Sequence, residues 1–158
     1  MEQGFTDVEA AAWGGFVGAQ GRLFRQIEDD LRRRSGITHA EFEVLLRLAF
    51  VPGNRSRIQD LADASLLTHS GTSRVVDRLV RAGFVERSGA EEDRRGAYAV
   101  LTDAGRAHFQ EAARRHIALV RSRFLDRFTP EELEQMASFW RRIDREMAGG
   151  ADSDTSLE

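Results

Sequence analysis

The amino-acid sequence predicts a mainly α-helical fold that carries one small β-hairpin. Apolar residues recur at steps of three and four near both ends of the chain, which is the period of an amphipathic helix. A region of short elements lies between these ends and holds two brief β segments around a charged loop. Its 158 residues suffice for one domain with one core. We therefore expect a single domain over residues 1–158, with long helices at 10–35 and 103–148, a small central fold at 38–102 and a disordered tail at 149–158.

The first long helix is predicted to end near Arg34, because Ser35 and Gly36 follow. A second helix begins at Thr38, which has the spacing of a capping box with Glu41. A loop at 51–54, with a proline and a glycine, ends it. The stripe of the first helix consists of Trp13, Phe16, Val17, Leu23, Phe24, Ile27 and Leu31, and that of the second consists of Phe42, Leu45, Leu46 and Ala49.

The central region predicts two short helices and a hairpin. Ile58, Leu61 and Ala62 mark the first helix, and a turn follows at 65–67. Thr68 caps the second helix, which ends at Gly83 and turns Val75, Val76, Leu79 and Val80 inward. The β segments are expected at 84–87 and 97–101, around an exposed tip. Two short helices followed by a hairpin form a winged helix-turn-helix, which presents its second helix to the major groove of DNA.

Two further helices are predicted after the hairpin. Thr102 caps the first, and Thr129, Pro130 and Glu132 start the second with a cap, a first-turn proline and a capping-box acid. The buried side of the first is expected to hold Phe109, Ala113, Ile117, Val120 and Phe124. The last helix stops at the glycine pair 149–150.

The composition restricts the possible functions. No cysteine is present, which excludes disulfides and thiolate metal sites. No apolar run approaches the roughly 20 residues of a membrane span, and residues 1–9 lack a leader pattern, so we expect a cytoplasmic protein with no membrane partner. A net charge of -3 argues against coating nucleic acid through bulk positive charge, although Arg55 to Arg106 holds nine basic and eight acidic residues.

The start of the second central helix is the first candidate DNA-binding element. Its first turns are expected to expose Thr68, His69, Ser70, Gly71, Thr72, Ser73 and Arg74. Hydroxyl groups and a helix N-terminus suit phosphate, whereas the guanidinium of Arg74 can pair with a guanine. Taken alone, a hydroxyl-rich helix start is equally typical of an ordinary cap.

The tip of the hairpin is the second candidate. Asp93, Arg94 and Arg95 lie there, and an arginine held out on a wing can enter the narrow minor groove. Asp93 would orient its neighbour through a charge-assisted hydrogen bond. A charged hairpin tip is more often only a solvated loop, but its position directly after a groove-fitting helix favours DNA contact.

The run from Asp93 to Gly105 resembles the wing signature of the MarR family of bacterial transcription factors, an Asp-x-Arg tip followed by a strand and Leu-Thr-x-x-Gly. The run from Ser73 to Arg87 is similar to that family's recognition helix and its exit, and the resemblance covers roughly Ala10 to Met147. It implies major-groove contacts near Ser70 to Arg74, with Arg78 added from the same helix, and a minor-groove contact from Arg95 supported by Asp93 and Arg94. Ala99 departs from the pattern, since the family more often has a larger aliphatic residue there.

The resemblance also implies a homodimer that binds a near-palindromic operator and represses transcription until a small aromatic or anionic effector releases it. Bulky apolar residues near the ends of the chain would form the dimer interface: Trp13, Phe16, Phe124, Leu125, Phe128, Phe139 and Trp140. The effector cleft would be lined by Trp13, Phe16, His39 and Phe42, although core packing explains these residues equally well.

Other functions are weighed against this one. The four histidines, His39, His69, His108 and His116, are scattered, so neither a metal nor another cofactor is expected. No nucleotide-binding glycine loop or nucleophile elbow is present, so the sequence does not predict an enzyme. The serious alternative is a winged-helix adaptor that binds another protein instead of DNA.

Overall fold

The computed structural model describes residues 4–65, 68–89 and 98–149 of the chain. Its elements are α1 (Asp7–Ser35), α2 (His39–Phe50), β1 (Arg55–Arg57), α3 (Ile58–Asp63), α4 (His69–Arg81), β2 (Val85–Ser88), β3 (Tyr98–Leu101), α5 (Asp103–Arg123) and α6 (Pro130–Gly149). Short 3₁₀ turns lie at Pro52–Asn54 and Leu125–Arg127. The elements form two compact units, Met1–Leu119 and Val120–Glu158. The predicted mainly α fold with a small β wing is confirmed.

Capping boxes begin three of the helices. Thr38 accepts a hydrogen bond from the Glu41 N–H at 3.1 Å, and the Glu41 carboxylate accepts one from the Thr38 N–H at 2.8 Å. Thr129 and Glu132 make the same exchange before α6. Thr6 does so before α1, which therefore begins at Asp7 and not at residue 10 as predicted. Each box satisfies amide groups that the first helical turn leaves unpaired, which is why these boundaries are sharp.

The sheet has three strands in the order β1-β3-β2, with both pairs antiparallel. The predicted hairpin is present as β2 and β3. The third strand, β1, was not predicted, because Arg55–Arg57 shows none of the apolar alternation of a strand. Backbone pairing places Arg57 opposite Tyr98 and Arg55 opposite Val100. The outer edge of the sheet therefore carries two arginines.

The core lies where α2, α3, α4 and the inner face of the sheet meet. Val85, Ala99 and Leu101 supply the sheet side. Ala99 is completely buried, so its small side chain lets the sheet lie close to the helices. The helices contribute Phe42, Val44, Leu45, Leu48, Leu61, Ala62, Val75, Val76 and Leu79.

Both ends of the chain leave apolar side chains exposed. In α1 only Ile27 and Leu31 are buried, whereas Trp13 is 57% exposed. Over residues 120–145 no side chain is buried. The predicted buried side of α5 is wrong at Ile117, which is 57% exposed, and right at Phe109. Exposed apolar faces of this extent are typical of an interface.

Gly105, in the first turn of α5, fits against the chain because it has no side chain. A Cβ at this position would lie 2.0 Å from the Phe84 carbonyl oxygen and 2.9 Å from Leu101 Cδ1. The same carbonyl accepts a hydrogen bond from the Thr102 N–H at 3.1 Å, which holds it in place. The close approach of α5 to the backbone of Phe84, just before β2, therefore requires glycine.

We predict that Gly105→Ala destabilises the protein by about 1–3 kcal/mol, because a backbone atom has to move to admit the methyl group. The free energy of unfolding in urea measures this change. Gly21→Ala is the matched control, since its added Cβ would meet only the end of Arg25 at 3.7 Å. That substitution should leave stability equal or higher, and equal effects of the two would contradict the prediction.

Candidate nucleic-acid interface

The N-terminus of α4 carries hydroxyl groups and has no acidic residue in its own first turn. Thr68 caps the helix by accepting a hydrogen bond from the Gly71 N–H at 3.1 Å. The Thr68 and Ser70 hydroxyls lie 3.3 Å apart. The first turn contains no acidic residue, so the positive end of the helix dipole is uncompensated there. Such a helix end is suited to a phosphate group.

Only part of the predicted DNA-contact set faces outward on α4. His69, Ser70 and Arg74 are exposed, and Gly71 and Ser73 are half-buried. Thr72 is 0% exposed, so the expectation that it contacts solvent or DNA is wrong. It lies on the buried face of the helix, one turn before Val75 and Val76 and two turns before Leu79, and the helical period turns it inward with them.

A contact from α3 lies beside this helix start. His69 Nε2 lies 3.3 Å from Asp63 Oδ1, and both side chains are largely exposed. Asp63 is the last residue of α3, so the pair joins the two helices of the helix-turn-helix at the turn between them. The two side chains thereby link the end of α3 to the first turn of α4.

The wing is tied to α4 by Arg87 of β2. Arg87 Nη2 donates to Asp77 Oδ1 at 2.7 Å and to Ser73 Oγ at 3.2 Å. Ser73 and Asp77 are one helical turn apart, so one guanidinium holds two consecutive turns of α4. Neither Arg87 nor Asp77 was predicted as a site residue, because ten positions separate them along the chain.

Arg78, a predicted DNA contact, is held by α2. Its Nε donates to Glu41 Oε1 at 2.7 Å. Burial alone would raise the pKa of Glu41, but hydrogen bonds from the Thr38 N–H, Arg78 and the Thr38 hydroxyl, together with the positive charge of Arg78, hold this pKa below its usual range. Glu41 therefore remains ionised at neutral pH as the partner of Arg78.

The predicted wing-tip residues Asp93, Arg94 and Arg95 lie outside the described residues. The described sheet beside the tip carries a cationic pair that the sequence did not indicate. The Arg55 guanidinium lies over the Tyr98 ring at 3.8 Å, and Arg57 Nε donates to Tyr98 Oη at 3.0 Å. Arg55 and Arg57 are two positions apart, so they lie on one face of a strand. The sequence could have indicated this cationic face only if β1 had been recognised as a strand.

Two grooves of about 600 and 680 Å³ lie on either side of Arg47. The smaller is lined by Phe24, His39, Ala40, Glu43, Val44, Arg47, Asp63, Ala64 and Ser65. The larger continues along α2, α3 and β1 and shares Glu43, Arg47 and Ala64. Within the described part of the chain, Arg47 Nε is buried without a hydrogen-bond partner. An unpaired buried donor is unfavourable, so a ligand that offers an acceptor would relieve it.

The structure separates the four residues predicted for an effector cleft. His39 lines the smaller groove and packs on Phe24, with ring centroids 4.9 Å apart. Phe42 is only 3% exposed and packs against Phe109 and His116, so it belongs to the core and lines neither groove. Trp13 and Phe16 lie on the exposed part of α1 and also line neither groove.

His116 completes this packing in its neutral form. Burial lowers its pKa, and the nearby positive charge of His39 lowers it further, against opposing effects of Glu43 and Asp30. A neutral imidazole can pack on the Phe42 ring without the cost of burying a charge.

The residues at 4–65, 68–89 and 98–149 contain no group of three or more His, Asp or Glu side chains placed to hold a metal ion. No helix over those same ranges has the length and apolar character needed to cross a membrane.

Residues 35–96 match the sequence model described as the MarR family. The fold is similar to that of AbsC, a MarR family transcriptional regulator from Streptomyces coelicolor, with a TM-score of 0.85, 34% identity and coverage of 93% of this chain and 99% of that one. It is equally similar to Sco3205 from the same organism, a MarR family regulator solved in complex with DNA, at a TM-score of 0.85, 30% identity, 98% of this chain and 94% of that one. The HTH-type transcriptional regulator YkoM of Bacillus subtilis is 30% identical over 118 residues, which are 73% of this chain and 75% of the relative.

We predict that Arg87→Ala loosens the wing without a large loss of global stability. Arg87 and Asp77 are 37% and 54% exposed, and exposed ion pairs contribute only about 0–1 kcal/mol. Amide hydrogen exchange in β2 and β3 should nevertheless become faster, because among the described residues Arg87 is the wing side chain that hydrogen-bonds to two turns of α4. Arg33→Ala removes the exposed Arg33–Asp29 pair of α1 and should leave wing exchange unchanged. Unaltered exchange in the Arg87 variant would show that its hydrogen bonds to Ser73 and Asp77 do not hold the wing on α4.

Proposed function

Because this chain belongs to the MarR family of transcriptional regulators, we propose that it binds a near-palindromic site on double-stranded DNA as a homodimer and represses transcription there. The observation that carries this proposal is the outward face of α4. It combines a helix N-terminus with no acidic residue in its first turn, two hydroxyls and the exposed Arg74 on a helix whose other face is buried. Backbone amides and hydroxyls suit phosphate, and the guanidinium of Arg74 suits a guanine edge.

Each described part of the predicted contact set has its own role in this proposal. Thr68, Ser70 and Gly71 bind phosphate at the helix start, and Arg74 reads a base in the major groove. His69 and Ser73 flank them. Arg95, supported by Asp93 and Arg94, stays the predicted minor-groove contact of the wing, and Arg55 and Arg57 add positive charge to the described sheet. Thr72 takes no part, since it is buried.

The proposed dimer follows from the exposed apolar ends of the chain. Trp13 and Phe16 lie on the exposed part of α1, and Phe139, Trp140 and Ile143 lie exposed on α6. The predicted interface further includes Phe124, Leu125 and Phe128, which are half-buried, with the two phenyl centroids 5.2 Å apart. A second copy would cover these side chains in a two-fold arrangement. Two α4 helices spaced by one turn of DNA, roughly 34–36 Å, would then read the two halves of a near-palindrome.

Repression is the simplest outcome of such binding, because a dimer bound at a promoter occludes RNA polymerase without any further contact. DNA binding also implies action in the cytoplasm, where bacterial DNA lies.

The groove beside Arg47 is proposed as the effector site. A small aromatic molecule with a carboxylate or phenol oxygen would pack on Phe24 and accept a hydrogen bond from the Arg47 guanidinium. The end of α3, including Asp63, lines the same groove and contacts His69 at the start of α4. An organohalide-sensing regulator of this fold, 15% identical, has been solved with 2,4-dichlorophenol bound. Binding that favours one position of α3 would change DNA affinity, with a typical coupling of about 1–3 kcal/mol.

The DNA-binding proposal is tested on the duplex that the wild-type protein selects from a random-sequence library. We expect Arg74→Ala to weaken binding to that duplex by about 1–3 kcal/mol and to relax discrimination against a scrambled duplex. Arg33→Ala, which removes an exposed arginine of α1, should reduce both affinities little and equally. A wild-type chain that is monomeric by light scattering, or that selects no sequence, would contradict the proposal and favour the protein adaptor.

The effector proposal is tested by thermal unfolding with salicylate and 2,4-dichlorophenol. A ligand at a hundred times its Kd should stabilise the protein by about 2.7 kcal/mol. Arg47→Gln should abolish the increase in Tm, because it removes the guanidinium and its positive charge from the groove, whereas Arg33→Gln should preserve it. Equal increases for wild type and Arg47→Gln would exclude this groove as the site.

A further inference from the structure

Arg78 lies on α4 one turn after Arg74, and its side chain pairs with a carboxylate of α2. Its Nε lies 2.7 Å from Glu41 Oε1 of α2, and the two side chains are 44% and 10% exposed. Arg74, one turn earlier, does not share this partner: among the described residues no hydrogen bond or ion pair joins it to Glu41. The two arginines of α4 therefore occupy different environments although the sequence places them on one helix.

The carboxylate of Glu41 has two tasks at once. It accepts the Thr38 N–H at 2.8 Å, which starts α2, and it accepts Arg78 Nε from α4. A nearly buried carboxylate that loses its cation is left with an uncompensated charge, so the pair is costly to break. The start of α2 and the third turn of α4 are consequently held at a fixed distance.

The start of α2 is also tied to α1. The His39 N–H donates to Glu28 Oε2 at 2.7 Å, and Glu28 in turn pairs with Arg32. Burial of Glu28 opposes the lowering of its pKa, but the His39 N–H and Arg32 prevail and keep the pKa below its usual range. Two ionised carboxylates therefore bracket the first turn of α2, one from α1 and one that reaches α4.

We propose that Arg78 is a positioning residue and not a DNA contact: through Glu41 it fixes the orientation of α4 against the corner formed by α1 and α2. This inference rests on the proposed DNA-binding function. It also gives the corner a regulatory role, because His39, between the two carboxylates, lines the groove at Arg47. A ligand that displaces the start of α2 reaches the reading helix through the Glu41–Arg78 pair.

The two possible roles of Arg78, positioning residue and phosphate contact, predict opposite effects on DNA affinity when the charge of Glu41 is removed. Removing a negative charge from a DNA-binding surface should strengthen binding through simple Coulomb attraction. Removing the partner that orients Arg78 should weaken it. The two roles also differ in salt dependence, because loss of one phosphate contact lowers the slope of log K against log salt by about 0.9.

The test is a double-mutant cycle with Glu41→Gln, Arg78→Gln and their combination, measured on the duplex selected by the wild-type protein at several salt concentrations. Glutamine at position 41 keeps a capping acceptor and so preserves the start of α2. We expect each single substitution to weaken binding about tenfold, the double variant to be no weaker than either single one, and the salt slope to stay at its wild-type value. Asp29→Asn and Arg33→Gln form the control cycle, since this exposed α1 pair should change affinity little and additively.

The inference is overturned if Arg78→Gln lowers the salt slope by about 0.9 while Glu41→Gln binds DNA as tightly as the wild type or more tightly. Circular dichroism of every variant at the assay temperature separates misfolding from lost orientation. If Arg78→Gln does not fold, Arg78→Lys replaces it: partial retention of affinity that depends on Glu41 supports positioning, and full affinity independent of Glu41 refutes it. A wild-type chain that selects no duplex refutes the proposed function itself, whereas a selected duplex with independent effects at 41 and 78 refutes only this inference.

Discussion

The burial of one face of α4 determines what the opposite face can do. Thr72, Val75, Val76 and Leu79 are all buried, and Val76 and Thr72 are fully removed from solvent. Because helical side chains recur every 3.6 residues, burying this stripe fixes which side chains point outward. The exposed hydroxyls and Arg74 therefore acquire their common direction from apolar packing on the other side of the same helix.

Polar contacts then set the orientation of α4 more finely than apolar packing can. Asp63 of α3 meets the helix start, Arg87 of β2 holds its middle and Glu41 of α2 holds its third turn. Two of these pairs are well exposed and add little to global stability. Their value is geometric, since an ion pair has a preferred distance and direction, whereas close-packed aliphatic side chains tolerate small rotations.

The corner formed by α1 and α2 connects the proposed DNA-binding helix to the proposed effector groove. The first turn of α2 holds the two carboxylate links to α1 and α4, and its next turns carry His39, Glu43 and Arg47 along the grooves. Under the proposals above, a ligand that shifts α2 would act on α4 through the Glu41–Arg78 pair at the start of α2. The exposed apolar ends of the chain, by contrast, are suited to a separate task, the burial of surface against another molecule.

The sequence by itself determined the starts of α2 and α6 at their capping boxes, the two-segment wing and the family, because these depend on residues three or four apart or on a contiguous motif. Only tertiary structure decided that Thr72 and Phe42 are buried, that the polar segment Arg55–Arg57 pairs as a strand, and that Ile117 stays exposed. It also gave Arg78 a partner 37 positions away. These features arise from packing between distant segments, and no local pattern specifies which distant side chain will lie opposite. The contacts of Asp93, Arg94 and Arg95 stay predictions from the sequence, because the physical partner they imply is a second molecule.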